Sequence, residues 1–201
     1  MTASTLTQQH AASNHDDLTS GWLTHHDTAA LRYMRARLHR FIQTEPAVER
    51  THAPHIVYIP EPDNRQHRVV ALNSAALLSG VVLTFVAFFG HKRTDSDAAQ
   101  LDALDHELIH ECLKMPQLLS YSSLELSDGS WANLVLLQSP DGIARWVESP
   151  RHAYAAHEVA PKSYREIRIH RGTLPAGLEP HGAIEFHRTR HFAYTTTTAT
   201  V

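Results

Sequence analysis

Residues 81–90 read VVLTFVAFFG, with Thr84 the one polar side chain before the glycine. A run that is apolar at both odd and even positions suits a strand buried between two layers, and Gly90 with the polar residues after it releases the chain. Downstream, Ser96 or Asp97 opens a helix lasting to about Lys114. Its Leu101, Leu104, Leu108, Cys112 and Met115 share one side, and Pro116 closes it. Leu118–Leu126 and Trp131–Gln138 are predicted strands. They are joined by Ser-Asp-Gly-Ser, in which Asp128-Gly129 accepts the positive φ of a tight hairpin. A second helix begins near Asp141 with Ile143, Trp146 and Val147, restarts at Ser149-Pro150, runs to about Val159 and is broken by Pro161. Tyr164–His170 is the last strand of the set, alternating Ile167 and Ile169 with Arg168 and His170.

Strand, helix, strand, strand, helix, strand is the split βαβ, ferredoxin-like plan of the α+β class, with both helices on one sheet face. The other face must be buried as well, as the doubly apolar strand implies. Upstream, Leu31, Met34, Leu38, Phe41 and Ile42 recur at helical spacing after Asp27, a residue able to cap a helix, and Pro46 ends the pattern. Two short strands, His55–Ile59 and His67–Leu72, flank the turn-rich Pro-Glu-Pro-Asp-Asn. The expected organisation is a mobile tail over 1–24, a helix and β-hairpin over 25–78 and the ferredoxin-like domain over 79–175. A C-terminal strand and tail over 176–201 complete it. The 25–78 segment echoes helix, proline, strand, turn, strand, so a degenerate half-repeat is one way to complete the buried face. A second chain is the other.

Two stretches carry a resemblance: Lys114-Met-Pro-Gln-Leu-Leu-Ser-Tyr121 before the hairpin, and Trp146-Val-Glu-Ser-Pro-Arg-His152 on the second helix. With VVLTFVAFFG ahead of them, this roughly 90-residue segment resembles the antibiotic-biosynthesis-monooxygenase type of dimeric α+β barrel. The resemblance implies a homodimer of facing sheets around a small-molecule substrate, an aromatic or polyketide-like compound, and cofactor-independent monooxygenase or related tailoring chemistry. It also implies asparagine and tryptophan beside an activated phenolate, for which Asn133 and Trp131 are available, with Thr84 the only polar group on the first strand. Some members bind haem through histidine, which makes His152 and His157 the haem-ligand alternative.

From the residues alone, Ile167 and Ile169 pack under the helices and turn Arg168 and His170 to the other face. There an arginine stabilises an enolate or carboxylate and a histidine moves a proton. Arg168 and His170 are therefore the catalytic candidates, with Tyr121, Trp131, Asn133 and Thr84 positioning substrate. A rival reading is a non-catalytic ligand-binding or oligomerisation module. His106-Glu107-Leu-Ile-His110 matches the HExxH pattern of zinc hydrolases. However, 17 histidines make that spacing common by chance, and at 100° per residue both imidazoles point away from Leu104 and Cys112. Zinc is not expected there. His187 and His191 lie about 13 Å apart on an extended strand and do not converge on a metal. They mark an edge strand or dimer arm.

A net charge of −3, from 18 basic and 21 acidic residues, argues against nucleic acid as a partner. The one cysteine, Cys112, fits a reducing compartment and a packing role. No basic segment followed by an apolar run opens the sequence, and the stretch 75–89 is too short to span a bilayer. A cytoplasmic protein without membrane association is the expectation.

Overall fold

The computed structural model describes residues 21–44 and 55–194. The tail expected before residue 21, the helix end at Pro46 and the Thr-rich terminus after residue 194 lie outside the described residues. The elements are α1 Gly21–Thr44, β1 His55–Tyr58, β2 His67–Ala71, α2 Ser74–Leu78, β3 Leu83–Lys92, α3 Ala98–Leu113, β4 Leu118–Glu125 and β5 Trp131–Leu137. They continue with α4 Asp141–Glu148, α5 Pro150–Tyr154, a π-helical turn Ala155–Val159, α6 Ala160–Ser163, β6 Tyr164–Leu174 and β7 Glu185–Ala193. The seven strands among the described residues join one antiparallel sheet in the order β1-β2-β4-β5-β3-β6-β7, an α+β architecture.

Most expected boundaries hold to within a few residues. Asp97 caps α3 by accepting from Gln100 N–H, and Ser149 caps α5 by accepting from His152 N–H. Gly129 takes φ +78° in the β4–β5 turn. Pro161 does not break its helix but stands in the first turn of α6. It has no N–H to give to the carbonyl four residues back, and its ring crowds that carbonyl. The turn before it widens, so that Ala160 N–H bonds to Ala155 O. The last strand also runs on past His170 to Leu174 and pairs with β7, which forms the sheet edge as a single strand. At their bulge Gly172 is required, because a Cβ there would meet Glu185 O at 1.9 Å and the Phe85 ring at 2.7 Å.

Both sheet faces carry helices. On one, α3 packs Ile109, Cys112 and Met115 against Val70, Leu72, Leu118 and Tyr121, with Trp146 of α4 beside them. On the other, Leu31, Met34, Leu38, Phe41 and Ile42 of α1 meet Val69, Ala71, Phe85, Ala87, Phe89, Leu134 and Leu136. Each such side chain fully buried contributes about 1.5–3 kcal/mol, so the α1 stripe alone accounts for its docking. Arg35, 1% exposed, reinforces it by donating to the carbonyls of Pro180 (2.7 Å), Gly182 (2.7 Å) and Ala183 (3.2 Å) in the loop before β7.

This arrangement corrects the barrel expectation. The face to be shared with a second sheet is occupied by α1 of the same chain. Residues 25–78 do not build a pseudo-symmetric half either: their hairpin extends the same sheet beside β4. Asp27 is corrected with it, because α1 begins at Gly21 and Asp27 lies inside the helix, 2% exposed. No helix among the described residues is long and apolar enough to cross a membrane.

Cys112 is 1% exposed, and burial, followed by the charge of Asp105, pushes its thiol up to about 12. A thiol reagent at pH 8 is therefore expected to label the folded protein negligibly and to label it fully in denaturant. Rapid labelling of the native chain would contradict this packing.

Candidate functional site

Strand β6 sets Arg168 opposite Phe89 and His170 opposite Ala87. Phe89 and Ala87 belong to the core under α1, so Arg168 and His170 emerge on that face, as the alternation with Ile167 and Ile169 predicts. There they meet Asp27. Arg168 donates from Nε to Asp27 Oδ2 and from Nη2 to Oδ1, both at 2.9 Å, a bidentate pair. His170 Nε2 lies 2.8 Å from the same Oδ2, and its Nδ1 lies 2.8 Å from Thr189 Oγ1 on β7. The rings of Phe89 and Phe186 stand edge-on to the imidazole at 5.5 and 5.3 Å.

Burial works to raise the Asp27 carboxyl. The hydrogen bonds from His170 and Arg168, with the positive charges behind them, outweigh it and hold the carboxyl below its usual range. Arg168 is stabilised as a cation in turn: burial opposes its charge, but Asp27 and then Glu166 outweigh that. The network reaches the surface through Glu166, which accepts from Arg168 Nη1 at 3.2 Å and faces His91 Nδ1 at 3.1 Å. Asp128 takes the other His91 nitrogen at 3.2 Å, and His191 Nε2 stands 3.4 Å from Glu166.

The remaining substrate-positioning candidates do not join this cluster. Trp131 pairs with Gly90, Asn133 with Phe88 and Tyr121 with Val135, which places all three on the α3 face, and Thr84 lies on that face too. Arg168 and His170 are across the sheet from them. Tyr121 is buried against an ion pair, donating to Asp105 Oδ1 at 3.2 Å while Arg68 forks onto the same carboxylate and stacks over the ring at 5.6 Å. Trp131 carries the Lys92 ammonium 4.5 Å above its ring.

Two partners escaped the sequence reading, Asp27 and Thr189. Asp27 stands four residues before Leu31 and thus on the apolar stripe of α1, a position at which a carboxylate demands a buried partner. A second buried cluster at the far end of α1 was missed as well. Glu61 accepts from Tyr33 Oη, from Arg37 Nε at 3.1 Å and from His67 Nδ1 at 2.6 Å.

The groups implied for metal or haem do not fit the residues present. His106 and His110 are exposed, His106 folds back onto Asp102 O at 2.8 Å, and Glu107 pairs with Arg151. Among the described residues no set of three or more His, Cys, Asp or Glu side chains is placed to hold a metal. His157 is exposed, and half-buried His152 leans on the Trp146 ring at 5.3 Å. Neither lines the groove that Ile143, Ala144 and Val147 of α4 form with Arg171.

No family model matches the sequence, and no curated protein matches it significantly. Two solved structures are similar in backbone. Protein SO0527 from Shewanella oneidensis is 12% identical with a TM-score of 0.41, covering 47% of this chain and 91% of that one. An aldoxime dehydratase is 14% identical with a TM-score of 0.25, covering 65% of this chain and 35% of that one. At these scores neither likeness speaks to chemistry.

Proposed function

We propose that the chain is a small-molecule enzyme on a ferredoxin-like core, whose chemistry is proton transfer at His170 with charge stabilisation by Arg168. One observation carries this reading: a guanidinium fork and an imidazole converge on a single carboxylate supplied by a separate helix. That is the geometry of a site for a small anion, with Asp27 holding the anion's place. A carboxylic acid or phenol admitted as α1 lifts meets the same groups. Its proton passes to His170 Nε2 and its negative charge rests on Arg168. The Thr189 hydroxyl donates or accepts, so it supports either tautomer of the imidazole. The monooxygenation implied by the resemblance starts from such a phenolate, and the proton-transfer half of it is what these residues support. A dimer would meet the sheet at β1 or β7, since α1 covers the face.

The experiment reopens the cradle. Asp27→Ala should gain thermal stability from millimolar acetate, whereas wild type and Asp27→Ala with Arg168→Gln should not. Deuterium exchange into a panel of small keto acids and phenols, followed by NMR, should then be lost in His170→Gln. Acetate without effect on Asp27→Ala would reduce the cluster to an internal ion pair. The second reading, a non-catalytic module, rests on the packing of α1 side chains over this face. Acetate rescue without any exchange would select it.

A further inference from the structure

Ser122 Oγ and His67 Nε2 are buried on the α1 side of the sheet, on residues 0% and 1% exposed, and neither makes a hydrogen bond among the described residues. Buried polar groups in folded proteins are nearly all paired, so each orphan calls for a reason. His67 stands opposite Leu124, and Ser122 lies two residues before Leu124 on β4, so the two are diagonal neighbours on one face. They do not bond each other. His67 Nδ1 is committed to Glu61 at 2.6 Å, which leaves Nε2 a bare acceptor, whereas the Ser122 hydroxyl can donate or accept. A hydroxyl group placed between them would donate to the imidazole and accept from the serine, and would satisfy both.

The register ties this pair to the Asp27 cluster. One row runs across the sheet from His170 through Ala87 and Leu134 to Ser122. The next runs from Arg168 through Phe89, Ala132 and Leu124 to His67. His170 and Ser122 are thus three strand spacings apart, about 14 Å, and the residues between them in both rows are apolar. Helix α1 repeats this pattern in its own side chains. Asp27 meets Arg168 and His170, Leu31 and Met34 join the core, and Tyr33 and Arg37 reach Glu61 beside His67. From Asp27 to Arg37 is about 15 Å of helix, so α1 crosses the strands along the rows. It lays an acid, an apolar body and a polar end on this face. Its polar end stops at Glu61, however, and leaves Ser122 Oγ and His67 Nε2 unmet.

We infer that the substrate is an elongated molecule with a carboxylic acid or phenol at one end and a hydroxyl about 14 Å away, joined by an apolar body. This rests on the reading of Arg168 and His170 as an anion cradle. The acid takes the place of Asp27, the body that of Leu31 and Met34, and the hydroxyl bridges Ser122 Oγ and His67 Nε2. The test is calorimetric titration of full-length Asp27→Ala with 10-hydroxydecanoate, whose extended length is close to that span, and with decanoate, both below their micelle thresholds. Asp27→Asn, which keeps the side chain's shape and gives up its charge, serves the same comparison if Asp27→Ala does not fold. The hydroxy acid should bind about ten-fold tighter than decanoate, the worth of one well-placed buried hydrogen-bonding group. That advantage should vanish when Ser122→Ala is added, and 5-hydroxypentanoate should show none over pentanoate. In the wild-type background Ser122→Ala should leave the melting temperature unchanged or raise it, since it strands no partner. Equal or weaker binding of 10-hydroxydecanoate, an advantage that survives Ser122→Ala or appears with the short acid, or a marked loss of stability in Ser122→Ala would overturn the inference. Acetate that stabilises Asp27→Ala while the distal hydroxyl adds nothing defeats this inference alone. Acetate without effect defeats the cradle reading and this inference with it.

Discussion

Asp27→Ala is expected to cost the fold about 3–5 kcal/mol, because it strands Arg168 and His170 in a buried face without their shared carboxylate. Against a total stability of roughly 5–15 kcal/mol this is a large fraction, and it should lower the melting temperature by roughly 10 °C. Urea titration at pH 7 reads it directly. A loss below about 1 kcal/mol would show that water reaches Arg168 and His170 once the carboxylate is gone. The pH dependence has a definite sign. The Asp27 carboxyl is held below its unfolded value, so its stabilisation is complete above that value and disappears as pH falls through the folded one. The wild-type stability curve should therefore drop more steeply in acid than that of Asp27→Ala, and the two should approach each other at the lowest pH.

The same residue shows why the fold was more legible than the site. Local signals in β3, the α3 cap, the Asp128-Gly129 turn and the Ser149-Pro150 restart all have near-neighbour causes, and they appear where expected. The buried stripe of α1 was legible too, since Leu31, Met34, Leu38, Phe41 and Ile42 are all buried. What covers a stripe is a tertiary matter, and periodicity says nothing about it. The open sheet face was assigned to a second sheet, although a helix twenty-four residues long was at hand in the same chain. Helix α2 was missed because Ser74–Leu78 merges with the apolar run after it. Gly80, at φ +73°, separates the two, leaving Val81 and Val82 exposed before the strand begins. Trp131 and Asn133 were grouped with Arg168 because hairpin loop length, which sets the face of every residue on β5, was undetermined by pattern alone.

Glu61→Gln is expected to destabilise by about 2–3 kcal/mol, with a cost that shrinks in acid. Glu61 is 5% exposed and gathers Tyr33, Arg37 and His67, and a neutral amide in its place weakens three charge-assisted hydrogen bonds at once. Burial works to raise the Glu61 carboxyl, but Tyr33, His67 and Arg37 together bring it below its ordinary value. Burial, opposed by Glu61, holds His67 below the usual imidazole range. The folded imidazole is thus neutral, with Nδ1–H donating to Glu61 and a bare Nε2 lone pair in the core. Both groups bind fewer protons folded than unfolded, so stability rises with pH through each of their windows. For Glu61 the window lies below about pH 4.3, and for His67 it extends downward from about pH 6.5. Urea unfolding of wild type and Glu61→Gln, carried from neutral pH to well below about pH 4.3, should show a smaller gap at the acid end than at neutral pH. It should narrow as Glu61 takes up its proton in the wild type. A gap independent of pH would mean that shape, not charge, is what Glu61 supplies, and that α1 is held at this end by packing alone.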